Sequence, residues 1–218
     1  MPNYYNEHTK FFVSVDCVIF GYSEGSLKLL IHRRPYTPYQ GEWSVIGGFV
    51  EKDESIDDAA KRVLTEFTGL DTVYMRQLGA FGKVKRDPGE RVISITYFAL
   101  IDVAKYKRNK TQQSTAEWVD IDKLPPLVFD HNQMVDLSLQ TVRSLVWKEP
   151  LIVNLMPKYF TLTQLQRAYE TVIGKQLDKR NYRRTIIDQG FLVKTDKIDK
   201  KTSKRGAAIY QMNPEINC

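Results

Sequence analysis

Apolar positions in the first part of the chain follow two different periods. The run Phe11-Phe12-Val13-Ser14-Val15-Asp16-Cys17-Val18-Ile19-Phe20 predicts a strand, and a Gly-containing turn leads to a second strand at Leu27-Lys28-Leu29-Leu30-Ile31-His32. Gly47-Gly48 then predicts a glycine-rich connection. Over residues 56 to 67 the period changes: Ile56, Ala60, Val63, Leu64 and Phe67 fall on one helical face, with Ser55 as N-cap and Gly69 as stop. Residues 78 to 84 and the long run Val92 to Ile101, separated by the polar turn Arg86-Asp87-Pro88-Gly89-Glu90-Arg91, predict a hairpin. After Pro125-Pro126, Asp130 and Gln133 have the spacing of a variant capping box. Val135, Leu139, Val142 and Val146 continue a helix whose second stripe, Met134, Leu137 and Leu145, suits packing on another domain or subunit.

The C-terminal part has a different character. Thr161 and Gln164 predict a capping box, followed by the stripe Leu162, Leu165, Tyr169, Val172 and Ile173 and a stop at Gly174. Asp178 is placed to cap a second helix ending at Gly190, with Tyr182 and Ile186 inward and Arg180, Arg183 and Arg184 on another face. Two strands follow, 191 to 195 and 207 to 212, joined by a loop carrying Lys197, Lys200, Lys201, Lys204 and Arg205. Helix, turn, basic helix and basic hairpin describe a winged helix-turn-helix.

Charge sharpens this division. The 218 residues hold 32 Lys and Arg against 26 Asp and Glu, and residues 151–218 alone hold 13 against 6, leaving 19 against 20 upstream. All the excess positive charge is C-terminal, as expected of a polyanion-binding module joined to a neutral one. A basic helix fits the DNA major groove, where Asn181 and neighbouring arginines offer donors to base edges while the cationic loop meets phosphates. A protein-docking module is the alternative. No run approaches the ~20 apolar residues needed to span a bilayer. The N-terminus lacks the basic and apolar regions of a signal peptide, and Cys17 and Cys218 have no framework spacing. A cytoplasmic location away from membranes is expected.

The segment Gly48 to Leu70 resembles the Nudix hydrolase signature, Gly-x5-Glu-x7-Arg-Glu-U-x-Glu-Glu-x-Gly-U with U apolar. Gly48, Glu54, Arg62, Leu64, Glu66, Gly69 and Leu70 match, and residues 41 to 49, Gly-Glu-Trp-Ser-Val-Ile-Gly-Gly-Phe, are also similar. Val63 and Phe67 stand in place of two of the three clustered helix glutamates, and Ile46 stands where proline often precedes the glycines. Positions 63, 66 and 67 share one helix face, so three carboxylates there would hold divalent cations against a diphosphate. Only Glu66 remains, and hydrolysis is expected to be lost or very slow.

A degenerate Nudix domain followed by a basic winged helix is similar to the family of Nudix-related transcriptional regulators, whose members repress NAD-biosynthesis genes or control sugar-use genes. Residues 160 to 170, Phe-Thr-Leu-Thr-Gln-Leu-Gln-Arg-Ala-Tyr-Glu, are the most family-like stretch. Leu177 to Arg184, Arg86-Asp87-Pro88 and Phe129-Asp130-His131 support it. The resemblance implies an α+β chain: a Nudix α/β/α sandwich sensing a ligand over residues 1–150, then a small winged helix-turn-helix over 151–218. It also implies a homodimer on a palindromic operator of double-stranded DNA, acting as a ligand-controlled regulator and, by analogy with the family, as a repressor, with no cofactor and no metal.

Thr161, Thr163, Lys179, Arg180, Asn181, Arg183 and Arg184 are the expected DNA contacts on the helices, with Lys204 and Arg205 on the wing. Trp43, Glu54, Glu66, Arg86, Asp130 and His131 are the expected effector contacts. Four of the latter have an ordinary alternative: Trp43 as core, Arg86 as a turn residue, Asp130 as a helix cap, His131 as a surface residue. Losing the glutamate cluster lowers the advantage of a diphosphate ligand, so a pentose such as arabinose is placed slightly ahead of ADP-ribose. The competing readings are a Nudix hydrolase of ADP-ribose-like nucleoside diphosphates with an accessory nucleic-acid domain, and an RNA-binding decapping-like protein.

Overall fold

The structure is a computed structural model, and residues 4–109, 116–200 and 206–216 are described. Its larger sheet is built from β1 (Phe12–Ser23), β2 (Ser26–Arg33), β3 (Trp43–Phe49), β4 (Tyr74–Phe81), β5 (Val92–Asp102) and β6 (Glu117–Asp120), in the order β4-β5-β1-β3-β2-β6. β1 runs parallel to β5 over nearly its whole length and antiparallel to β2 and β3. Strand β1 is buried without interruption from Ser14 to Gly21, the pattern of a strand covered on both faces.

One face of the sheet carries α1 (Ile56–Thr68) and α2 (Val103–Asn109), the other α3 (His131–Leu145), which gives the α/β/α sandwich. The local signals for α1 hold: the Ser55 hydroxyl accepts from the Asp58 amide at 3.1 Å, and Gly69 ends the helix in the left-handed conformation with φ 67°. Val15, Cys17, Ile19, Leu30, Ile46, Ala60, Val63 and Leu64 form the core beneath α1. Burial there pushes the Cys17 thiol pKa well above its ordinary value.

Two sequence expectations are corrected here. Gly47-Gly48 is not a connection but lies within β3. The glycines are required by close packing, because a Cβ at Gly47 would collide with the Asp16 carboxylate and one at Gly48 would stand 2.9 Å from Val63 Cγ2. Asp130 precedes α3 but makes no side-chain cap, and no capping box with Gln133 forms; its carboxylate is taken by Arg86. Of the second α3 stripe, Met134 is fully buried, Leu145 is partly buried against the core, and Leu137 is 43% exposed.

The C-terminal part comprises α4 (Leu162–Ile173), α5 (Lys179–Asp188) and a small sheet in the order β7-β9-β8, with β7 (Phe160–Thr161), β8 (Leu192–Asp199) and β9 (Ala207–Met212). The Thr161–Gln164 capping box is complete, Gly174 ends α4 with φ 73°, and the Asp178 carboxylate caps α5 by accepting from Asn181 N at 2.8 Å. Tyr182 and Ile186 point inward and are buried, as their spacing predicts. Strand β7, two residues long, had no signal of its own. Among the described residues no helix is long and apolar enough to cross a membrane.

The core beneath α1 also holds a buried histidine. His32 in β2 meets the Phe67 ring edge-on at 4.9 Å, and burial, assisted by the Arg34 charge, lowers its pKa from 6.5 to about 4. The fold therefore keeps this imidazole neutral, whereas the unfolded chain protonates it below pH 6.5. Stability is expected to be fully present above pH 6.5 and to fall as pH drops towards 4, with a contribution from His32 of roughly 3 kcal/mol. Denaturant titrations across that window test this: His32→Gln should flatten the pH dependence, and parallel profiles for the two proteins would refute it.

Candidate functional site

The loop before α1 and the C-terminal half of the helix bring together what is left of the Nudix glutamates. Arg62 donates to both oxygens of Glu54, Nη2 to Oε1 at 2.6 Å and Nε to Oε2 at 2.9 Å. Its Nη2 also reaches the Phe49 carbonyl at 2.9 Å, and its Nη1 lies 3.4 Å from Glu66 Oε1. The Arg62 hydrogen bonds hold the Glu54 carboxyl at a pKa of about 2. Val63 is buried in the core and Phe67 packs on His32. A divalent cation of the Nudix type needs several carboxylates free to turn toward it. Here both remaining ones are engaged by one guanidinium, two are replaced by hydrocarbon, and the donor set does not fit the metal.

On the opposite face of the sheet lies a buried ionic cluster. The Arg86 guanidinium donates to Asp130, Nη2 to Oδ1 at 2.7 Å and Nε to Oδ2 at 3.1 Å, and its Nη2 is 3.5 Å from Asp16 Oδ2. The Ser94 hydroxyl donates to Asp16 Oδ2 at 2.5 Å, and His131 Nε2 stands 3.7 Å from Asp16 Oδ1. Burial alone would lower the Arg86 pKa, but Asp130 and Asp16 override it and hold the arginine firmly charged. Burial lowers the pKa of His131. Its Nδ1 accepts from the Val45 amide at 3.4 Å, so the neutral ring carries its proton on Nε2, toward Asp16.

An aromatic corner borders this cluster. Tyr39 and Phe129 meet edge to face with centroids 5.2 Å apart, Phe129 is 5.3 Å from His131, and the Arg34 guanidinium lies 4.9 Å from the Phe129 centroid, its Nε donating to the Pro38 carbonyl at 3.0 Å. Both aromatic residues occupy the left-handed region, Tyr39 at φ 63° and Phe129 at φ 54°, a conformation costing about 1–2 kcal/mol for residues with a Cβ. Glu24, the other non-glycine residue there, has an ordinary reason, since with Gly25 it forms the two-residue turn of the β1–β2 hairpin. Trp43 is half-buried beneath the Arg33 guanidinium, 3.9 Å from its ring centroid.

The structure thus brings Arg86, Asp130 and His131 into one cluster and places Glu54 and Glu66 apart from them, in α1 and the loop before it. The ordinary alternatives for two residues are excluded, since Asp130 is not a side-chain cap and His131 is 2% exposed rather than on the surface; Arg86 does sit in a turn segment, where it is buried. Asp16, Ser94, Arg34 and Tyr39 were missed. Asp16 did carry a signal, a lone carboxylate inside an apolar strand, which in a folded protein requires a partner.

The cationic face is formed by α4 and α5. Lys179, Arg180, Asn181 and Arg184 are exposed, and half-buried Arg183 reaches Thr163 Oγ1 at 3.4 Å. A cavity of about 540 Å³ opens between the start of α4, α5 and β9, lined among others by Thr163, Gln164, Arg167, Lys179 and Arg183. Arg167 was missed because it falls on the helix that carries the apolar stripe. Thr161 lines the cavity too, but it is buried and its hydroxyl is engaged in the α4 cap, so it is a structural residue rather than a free donor. Lys201, Lys204 and Arg205 lie outside the described residues.

Comparison with known proteins agrees with both halves. Residues 10–137 match the NUDIX domain family, and residues 152–212 match the NrtR DNA-binding winged helix domain. The ADPR responsive transcriptional repressor NtrR of Acinetobacter baylyi is 34% identical over 203 residues, covering 91% of this chain and 81% of that protein. The crystal structure of Shewanella oneidensis NrtR complexed with a 27mer DNA superposes with a TM-score of 0.84 at 26% identity, covering 93% of this chain and 94% of the other. The NUDIX domain of the same protein, complexed with ADP ribose, gives a TM-score of 0.54 at 27% identity over 63% of this chain and 92% of the other. With a Nudix domain, an NrtR winged helix and a full-length relative that is a repressor, this chain belongs to the NrtR family of Nudix-related transcriptional regulators.

Proposed function

We propose that this protein is a transcriptional repressor whose winged helix, residues 151–218, binds operator DNA and whose Nudix domain, residues 1–150, senses ADP-ribose without hydrolysing it. The observation that carries the DNA half is the convergence of Lys179, Arg180, Asn181, Arg183 and Arg184 on α5 with the cationic cavity at the start of α4. Such a surface has the charge to meet a DNA backbone beside an accessible major groove. Two copies are needed, because one small winged helix reads too few base pairs for specific repression. The operator is accordingly palindromic and the protein a homodimer.

Sequence alone ranked a pentose such as arabinose slightly ahead of ADP-ribose, on the ground that the metal-binding carboxylates are gone. The repressor of Acinetobacter baylyi, named for its response to ADPR, reverses that order. A physical reason supports the reversal, since Arg34 has no carboxylate partner among the described residues and supplies positive charge to a diphosphate where no metal does. The absence of hydrolysis follows from Val63, Phe67 and the Arg62 clamp on Glu54 and Glu66.

Three outcomes are expected. Replacing Arg183 and Arg184 by alanine should weaken binding to a duplex selected from a random pool by about 1–3 kcal/mol for each bidentate arginine–base pair that the substitution removes; unchanged affinity in a folded variant would refute the assignment. Wild-type affinity should fall steeply with salt. With ADP-ribose and magnesium, calorimetry should show binding while chromatography shows intact ligand; steady turnover would make the protein a hydrolase.

A further inference from the structure

We propose that Glu170, assisted by Gln166, is a positioning residue for DNA recognition: it fixes the turn between α4 and α5 and so sets the angle at which α5 enters the major groove. This rests on the DNA half of the reading above and names side chains that orient the recognition helix without touching DNA. Glu170 acts on both helices. Its backbone carbonyl accepts from the Gly174 amide at 2.9 Å, which ends α4, while its carboxylate Oε1 accepts from the Leu177 amide at 2.9 Å. Gln166, four residues earlier on the same face of α4 and 9% exposed, donates from Nε2 to Glu170 Oε1 and to the Leu177 carbonyl, each at 3.0 Å.

Both peptide units flanking Leu177 are therefore held by side chains of α4. The next residue, Asp178, caps α5 through the Asn181 amide, so the start of the recognition helix follows directly from the pinned turn. Packing also joins the helices, with the Tyr169 and Tyr182 rings 5.4 Å apart. Apolar contact is non-directional, whereas hydrogen bonds are angular, so the rings hold α5 close while the Leu177 bonds fix its direction. The charge of Glu170 gives a way to tell positioning from electrostatics. Residues 151–218 hold 13 cationic against 6 anionic side chains, and a carboxylate in such a module repels phosphate. Removing that charge alone tightens DNA binding, whereas losing the orientation of α5 weakens binding to a specific sequence.

The full chain is compared as wild type, Glu170→Gln, Glu170→Ala and Gln166→Ala on the duplex that wild type selects from a random pool and on a scrambled duplex of equal length, with melting curves recorded for each. Glu170→Gln keeps an oxygen for the Leu177 amide and should bind the selected duplex at least as tightly as wild type. Glu170→Ala should bind it about tenfold or more weakly, as expected when at least one base contact is displaced, while its affinity for the scrambled duplex holds or rises. Gln166→Ala removes the donor to the Leu177 carbonyl and should shift in the same direction; it decides the matter if Glu170→Ala does not fold. Undiminished discrimination between the duplexes in folded alanine variants overturns the positioning role. So does an equal loss on both duplexes, or a Glu170→Gln protein as weak as Glu170→Ala. If wild type selects no duplex, the DNA-binding reading fails and this role with it, an outcome distinct from the others.

Discussion

Asp16 is a carboxylate in the middle of a strand buried on both faces, and much of the Nudix domain is arranged around keeping it there. A lone buried anion would be intolerable. Ser94 on the adjacent strand β5 donates to it, Arg86 approaches from the β4–β5 connection, and His131 comes from the first residue of α3. Asp130 then completes the set by taking the bidentate face of Arg86. Three separate chain segments are thus tied to β1 by one charge. Removing a single partner from such a cluster leaves an uncompensated charge, which is far more destabilising than replacing the whole set by hydrocarbon. The same crowding accounts for Gly47, where any side chain would collide with the Asp16 carboxylate.

Across the sheet, the Nudix helix shows how a metal-binding face becomes part of a core without changing the fold. Val63 closes against Gly48 and Phe67 against His32, so positions that bear carboxylates in the hydrolase signature contribute packing here. Arg62 keeps the loop and helix together by bridging Glu54, Glu66 and the Phe49 carbonyl. The loop geometry survives, held by an ion pair rather than by a shared cation.

What was legible in the sequence is what local chemistry decides. Ser55, Thr161 and Asp178 cap their helices as their spacing announces, and Gly69 and Gly174 end them. What was hidden depends on partners distant in the chain. The parallel pairing of β1 with β5 joins residues about eighty positions apart, and β6 finds its place only by pairing with β2. Asp130 looks like a cap because an Asp before a helix usually is one; Arg86, 44 residues away, offers it a stronger, charged partner. Gly47-Gly48 reads as a turn because glycine has no side chain to reveal the neighbours that exclude one. At the site, the Nudix match pointed to Glu54 and Glu66, while Tyr39 and Arg34 had no pattern to mark them, since an exposed loop carries no period.

The link between the two halves is packing rather than a tether. One hydrophobic cluster continues from Val18, Phe20 and Phe98 of the sheet through Val142 and Val146 at the end of α3, then Leu151 and Ile152, to Leu165 and Tyr169 of α4. Polar contacts follow the same seam: Arg143 donates to the Val172 carbonyl at 2.7 Å, Gln189 to the Trp147 carbonyl at 2.6 Å, and Thr171 to the Gly25 carbonyl at 3.2 Å. Domains joined by a polar, flexible linker move independently by default, but a continuous core is close-packed and resists small displacements. The position of α5 is therefore set through α4, which packs on β2 on one side and on α5 on another. Since α3 begins at the Asp130–His131 cluster and ends where Trp147 packs on Tyr169, a single rigid helix spans the distance between the candidate effector site and the winged helix.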